Sequence, residues 1–322
     1  MENRLAEIAP DVYRIDWSIG TKPMASYLLA GDGVILIDSG LPDTPEQVYL
    51  PALKAIGCRP EDVRLLIITH ADADHIGGNH AARGLFPHIM IACHRRDARW
   101  ASDPDILTAE RYDGFKPYGL RYDQGTFDTL TSWMGPAEPM DLLIQAGDRI
   151  RVAGDDWLEV HHVPGHTPGH LCLHNPVRGY ALIGDAVFGR SQLDTAGNWL
   201  APPPYDDVPA YRATIDHLRG LQADLLLTCH YPVMRDNEIG TFLDESVEWT
   251  NDAATFASRL LQESAEPVTL AAAFEQADPV LGPYQNPREL QWALRAHFAE
   301  LVSIGTARHI EHDGVMAWAM NA

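Results

Sequence analysis

Lysine is almost missing from this 322-residue chain: only Lys22, Lys54 and Lys116 carry an ammonium group. With 45 Asp and Glu against 24 Lys and Arg, the formal net charge is −21. Such a surface repels polyanions, so nucleic acid is excluded as an expected partner. Long apolar runs are absent as well, and nothing approaches the roughly 18 residues of a membrane helix. The opening MENRLAEIAPDVYRIDW has no apolar core of a secretory signal. Cysteine is sparse and unpaired, since Cys58, Cys93, Cys172 and Cys229 form no CxxC motif. Cys93 and Cys172 lie in short apolar runs and read as reduced core thiols. A cytoplasmic protein with no membrane partner is the expectation.

What is present is enough apolar residue, 46%, for a substantial core. The length exceeds a single domain of about 100–200 residues, so one large domain with an extension is expected. Short strands are predicted at DVYRIDWSI, ASYLLAG and GVILIDSG, followed by a helix over TPEQVYLPALKAIG with Thr44 as N-cap and Gly57 at its end. VRLLIITH is a continuous apolar run, as expected of a strand buried on both faces. HIGGNHAARGLF predicts a helix and HIMIACH another strand. From about 95 to 140 the pattern breaks into Gly, Pro and aromatic residues with no clean period, predicting an irregular lid or binding loop. Strands resume at RIRVAG, LEVHHVPG, LCLHN and YALIGDAVFG, then a helix over DDVPAYRATIDHLRGL and a strand at DLLLTCHYP. Residues 1–240 thus form one domain. Residues 241–322 are mostly helical and end in a hairpin turning at Asp313-Gly314, a winged-helix-like extension.

Metal-binding residue types gather at the ends of the predicted strands. THADADH supplies His70, Asp72, Asp74 and His75; VPGHTPGH supplies His166, IGDAVFG Asp185 and LLTCHYP His230. These seven nitrogen and oxygen donors suffice for two cations. Without sulfur, unless Cys229 takes part, hard to borderline metals are favoured: Zn, Fe, Mn or Co. His161 and His162 are divided between the core edge and solvent, and His170 reads as structural or as supporting a ligand. His80, His88, His94, His174, His217, His297, His309 and His312 show no partner pattern and read as surface or packing residues.

The IDSG turn, THxxxDHIGG, PGHTPGH, GDAVF and the late histidine after an apolar strand together resemble the metallo-β-lactamase superfamily over roughly residues 10–235. The resemblance implies an α/β fold, the αββα sandwich. It also implies that His70, Asp72 and His166 hold one metal and Asp74, His75 and His230 the other. Asp185 would bridge, and Asp38 would orient a ligand. One position departs from the family's H-x-H-x-D-H motif: Asp72 stands where the second histidine belongs. A carboxylate adds negative charge and hardens the site, favouring Fe or Mn relative to an all-histidine set, with Zn still the first expectation.

The implied activity is hydrolysis by a metal-bridged hydroxide, with Asp74 as the catalytic group that orients the water or takes its proton. An ester, lactone, thioester or related small-molecule bond is the expected substrate. The alternative is non-haem iron redox chemistry on oxygen, nitric oxide or persulfides. The superfamily's flavodiiron reductases also carry a carboxylate at the Asp72 position, but nothing here resembles their FMN domain. Nucleic-acid processing ranks last, because residues 241–281 hold eight acids and only Arg259 as a base. Arg111, Tyr112, Phe115, Tyr118, Trp133 and Trp199 are candidates for an apolar pocket with a cationic point, joined by Tyr122 and Phe127. The insertion or the tail also offers area for a homodimer interface.

Overall fold

The computed structural model describes residues 4–321. A first sheet runs in chain order through β1 (Arg4–Ala9), β2 (Val12–Ile19), β3 (Lys22–Ala30), β4 (Val34–Ile37), β5 (Val63–Ile67), β6 (Met90–His94) and β7 (Leu142–Ile144). β1 to β4 pair antiparallel, and β4 to β7 pair parallel. The parallel half needs crossovers, supplied by α1 (Leu50–Ala55) and by α2 (Ala73–Ile76) with α3 (Asn79–Leu85). The insertion holds α4 (Ala98–Ser102), α5 (Pro104–Glu110) and α6 (Gln124–Ser132). The second sheet contains β8 (Arg149–Ala153), β9 (Asp156–His162), β10 (Leu171–Asn175) and β11 (Tyr180–Gly184). A small ribbon follows, β12 (Gln192–Leu193) with β13 (Trp199–Ala201), and then α7 (Val208–Gly220). β14 (Leu225–Thr228) and β15 (Met234–Arg235) complete the second sheet, in the order β15-β14-β11-β10-β9-β8.

Strand alternation sets the layers. Leu29, Ile35, Leu65 and Ile67 of the first sheet meet Leu158, Val160, Leu173 and Leu182 of the second in one buried core. Their neighbours Leu28, Leu36, Leu66 and Ile68, with Cys172, Ala181 and Ile183, turn outward and are covered by Val48, Leu53, Phe86, Tyr211 and Ile215. The central strands are therefore buried on both faces, which is why they read as unbroken apolar runs. The fold is the α/β, αββα sandwich. No helix among the described residues is long and apolar enough to cross a membrane.

Three local expectations need correction. Thr44 does not cap a helix: it is itself helical, and its Oγ1 accepts the Leu41 N–H at 2.9 Å, ahead of a π-helical turn at Pro45–Tyr49. The insertion is not irregular. Asp103 accepts the N–H groups of Asp105 and Ile106, and Asp123 accepts that of Thr126, starting α5 and α6. These are strong caps on helices too short to show a period. The sequence also concealed β1, an exposed edge strand without clear alternation.

The C-terminal region folds as α8 (Asn237–Glu263), a two-residue strand β16 (Val268–Thr269), α9 (Leu270–Leu281), α10 (Leu290–Ser303) and the hairpin β17 (Ala307–His312) with β18 (Val315–Met320). Its sheet has the order β16-β18-β17, and Asp313 and Gly314 take positive φ at the turn. Trp318 is fully buried, with Tyr118 of the insertion stacked 5.1 Å away and Phe298 at 4.7 Å. Insertion and extension are thereby packed as one wall. Trp318→Ala is expected to cost about 3–5 kcal/mol in denaturant unfolding and to expose the 112–118 segment to protease. A cost near zero with unchanged proteolysis would show that the wall is not anchored there.

Candidate metal centre

The candidate residues follow the C-terminal ends of the parallel strands, where the backbone leaves the sheet. Asp38 follows β4, the His70–His75 segment follows β5, Asp185 follows β11 and His230 follows β14, while His166 lies in the β9–β10 loop. Close packing of these loops depends on glycine. At Gly77 a Cβ would stand 1.9 Å from the Trp133 carbonyl oxygen, and at Gly184 (φ +52°) it would stand 2.8 Å from Thr69 Oγ1.

Each histidine is oriented through its Nδ1. His75 Nδ1 lies 2.9 Å from Asp38 Oδ2 and His70 Nδ1 3.0 Å from Thr69 Oγ1. His166 Nδ1 donates to Pro204 O at 2.6 Å and His230 Nδ1 to Pro23 O at 2.9 Å. The Nε2 atoms are left to face a common floor. His70 Nε2, His75 Nε2, His166 Nε2 and Asp185 Oδ1 are all buried, with no hydrogen-bond partner among the described residues. Buried polar atoms are costly when unmatched, so a convergent set of them fits cations. Donor atoms of His70, His166 and Asp185 lie within 4.8 Å of one another, as do those of Asp74, His75 and His230. His230 Nε2 is 2.8 Å and His75 Nε2 3.4 Å from Asp185 Oδ2.

Asp38 takes a left-handed backbone conformation, φ +56°, costly for a non-glycine residue. Its carboxylate holds it there by accepting the Thr69 N–H at 2.7 Å while it orients His75. His170 stacks on His70 at 4.5 Å and accepts the Asp185 N–H through Nε2 at 3.2 Å, so it supports two candidate ligands. Cys229 Sγ lies 3.7 Å from Asp38 Oδ2, and burial pushes its thiol up to about 12, which keeps it protonated.

Electrostatics separate the groups. Burial, then the neighbouring His75, His170 and His166, holds His70 well below the usual imidazole range. Burial opposes ionisation of Asp185, but His230 and His75 outweigh it and hold the carboxyl well below its usual range. For His75 burial is outweighed by Asp185, Asp38 and Asp74, which raise it well above the usual value.

Four residues escaped the sequence reading. Lys22 Nζ donates to Asp74 Oδ2 at 2.7 Å; against burial, this ammonium and His75 lower the Asp74 carboxyl. Asp97, fully buried, accepts from Thr167 Oγ1 and the Gly169 N–H at 2.6 Å each and from the Ala71 N–H at 3.2 Å, tying the two ligand loops together. Asp206 and Glu289 come from distant segments. A rare lysine just before an apolar strand was the one signal available for Lys22.

A model of the metallo-β-lactamase superfamily matches residues 20–230. The chain belongs to that superfamily. Acyl-coenzyme A thioesterase MBLAC2 of Bos taurus is 29% identical over 206 residues, 58% of this chain and 63% of that protein. A hydroxyacylglutathione hydrolase of Thermosynechococcus vestitus is 30% identical over 148 residues, covering 46% and 42% of the two chains. The match thus spans less than two thirds of either relative. The crystal structure of a metallo-β-lactamase family protein of Thermus thermophilus has a TM-score of 0.76 at 20% identity, covering 98% of this chain and 100% of that one. The likeness in fold therefore runs through the C-terminal helices as well as the sandwich.

At the position where the superfamily motif carries histidine, Asp72 is not a free carboxylate. Arg111 Nε donates to its Oδ1 and Nη2 to its Oδ2 at 3.0 Å, while Oδ2 also lies 2.9 Å from His166 Nε2 and 3.7 Å from His70 Nε2. Arg111 is 3% exposed, is held by Asp206 at 3.1 Å and lies 4.6 Å from the Trp292 ring. Arg111 thus offsets the negative charge that Asp72 brings to this position.

Above the floor opens a cavity of about 610 Å³ lined by Lys22, Asp72, Arg111, Tyr112, Tyr122, Trp133, Leu200, Glu289 and Trp292 among others. Arg111, Tyr112 and Trp133 reach it as expected, but Arg111 is consumed by its carboxylates and is no cationic point for substrate. Phe115, Tyr118 and Trp199 do not line it. Phe115 is buried against Trp292 at 4.5 Å, Tyr118 stacks on Trp318, and Trp199 stacks on Tyr284 at 5.5 Å. Their apolar rings found partners within the wall. Phe127 is likewise absent from the lining.

Two outcomes follow from this geometry. Asp72→His and Arg111→Met should each destabilise the metal-free protein by roughly 3–5 kcal/mol, because each strands a buried charge. The double variant should recover most of that loss in denaturant unfolding; strictly additive losses would rule out the pairing. Because His75 must shed a proton to ligate, apparent zinc affinity should rise as pH rises through neutrality, with protons released on binding. Affinity and proton count that stay flat with pH would contradict the role assigned to His75.

Proposed function

We propose that this protein is a dinuclear metal-dependent hydrolase of small-molecule acyl thioesters. The observation that carries the reading is the convergence of four oriented imidazoles and Asp185 at the floor of a cavity, beside an ionised Asp74. His70, Asp72 and His166 would hold one cation and Asp74, His75 and His230 the other, with Asp185 between them. Zinc suits these nitrogen and carboxylate donors. The bound pair supplies a Lewis acid and a water acidic enough to ionise near neutrality.

The chain's own residues do the rest. Asp74, kept ionised by Lys22 at 2.7 Å, takes the proton of the attacking water. Lys22 holds that carboxylate in place and keeps it charged. Tyr112, whose hydroxyl accepts the Ala73 N–H at 3.0 Å, steadies the turn that presents Asp72 and Asp74. Ile19, Leu130, Trp133, Leu200 and Trp292 offer the acyl group an apolar wall.

The thioester preference rests on the two relatives, whose names both denote acyl-thioester hydrolysis. Within the wall both cations, Lys22 and Arg111, already face carboxylates. A thiol carrier of low charge is therefore the better fit than one rich in phosphate. The iron-redox alternative drew its support from Asp72, and Arg111 supplies another account of that residue.

Zinc-loaded protein is expected to release thiol from acylglutathione thioesters faster than from acyl-coenzyme A. Chelation should abolish the release and added zinc restore it. Asp74→Asn, assayed at saturating zinc, should lower kcat roughly 10²–10⁴-fold. Protein holding two zinc ions per chain that releases no thiol from any acyl thioester would refute the proposal.

A further inference from the structure

A second group of metal-binding side chains lies on the outer face of the second sheet, apart from the centre described above. Glu159 and His161 are two residues apart on β9 and so share a face. His174 of β10 is paired directly with Glu159 in the ladder, which places it on that face too. Donor atoms of these three residues lie within 4.8 Å of one another. From α7, which covers this face, His217 brings its Nε2 to 3.0 Å from His161 Nδ1. The His161 ring centre lies 5.0 Å from that of His217 and 5.7 Å from that of His174.

Three imidazoles and a carboxylate thus gather on this face, with the His217–His161 hydrogen bond already drawing two of them together. Glu159 forms no ion pair with lysine or arginine among the described residues. His161 Nε2 is buried and lacks a hydrogen-bond partner among them. Burial holds His161 and His174 below the usual imidazole range, so both are neutral and have lone pairs to give. A cavity of about 400 Å³ bordered by Glu159, His161, His162 and His217, and by Arg149 opposite Glu159 in the ladder, opens beside the group. Ligands of a tetrahedral zinc ion stand roughly 3.3 Å apart, given bonds of about 2.0 Å. The observed nitrogen separation is close to that value.

We propose that Glu159, His161, His174 and His217 form a third, structural cation site of the zinc class. It would clamp the last turns of α7 to β9 and β10. The same helix supports the His166 loop: Thr214 Oγ1 donates to Pro164 O at 2.7 Å, and a Cβ at Gly165 would meet the Tyr211 Cα at 2.6 Å. A cation at the far end of α7 would therefore brace the element against which a centre ligand is packed. The sequence spacing assigned His174 and His217 no partner, because they meet only through the β-ladder and the helix above it.

The test uses the full chain, saturated with zinc, dialysed against metal-free buffer and counted by elemental analysis. The His161→Ala/His217→Ala double variant is expected to retain about one zinc fewer per chain than the unaltered protein, with thioester hydrolysis unchanged. His217→Ala alone, at an exposed helix position, guards against misfolding: in copper(II)-loaded protein it should remove one nitrogen from the electron-spin-resonance pattern. Equal zinc counts with an unchanged copper spectrum would overturn the proposal. Failure of the catalytic centre would instead lower the zinc count of the double variant and the unaltered protein alike, leaving their difference intact.

Discussion

An imidazole can offer its Nε2 to a shared floor only if its Nδ1 is already held, and the rest of this molecule is arranged around that requirement. The four second contacts come from a carboxylate, a hydroxyl and two proline carbonyls, spread over segments around residues 23, 38, 69 and 204. One of them, His230 to the Pro23 carbonyl, joins the two sheets, so stacking of the sheets sets the orientation of that ring. Left-handed Asp38 shows the local cost of that arrangement, tolerated because its carboxylate joins Thr69 to His75.

The centre gathers carboxylates that would repel one another if left alone. Cations drawn from well-separated parts of the chain offset them: Lys22 from the start of β3 beside Asp74, and Arg111 from the end of α5 beside Asp72. Arg111 is held in turn by Asp206 and by the Trp292 face. The aspartate at the histidine position of the superfamily motif is thus one half of an ion pair whose other half belongs to the insertion. An aspartate read alone suggests a harder metal; an aspartate read with its arginine brings a negative charge that is offset.

Insertion and extension act as one structure. Tyr118 and Phe115 of the insertion are consumed by Trp318 and Trp292 of the extension, while Tyr112, Tyr122, Trp133, Glu289 and Trp292 remain to line the cavity. The extension is therefore part of the chamber wall above the candidate metal floor.

The sequence by itself determined the strand ends and the identity of the seven candidate donors, because those features are local: continuous apolar runs, and donor residues at the turn that closes each run. The sandwich was legible through the resemblance those motifs carry. The helices that Asp103 and Asp123 cap went unread, because they are too short to show a period. Only tertiary structure decided which aromatic rings face the cavity, what neutralises Asp72, where Lys22 lies and that His161 meets His174 and His217. These depend on contacts between residues tens to hundreds of positions apart, set by sheet register and helix packing, and no local pattern in a single chain encodes such distances.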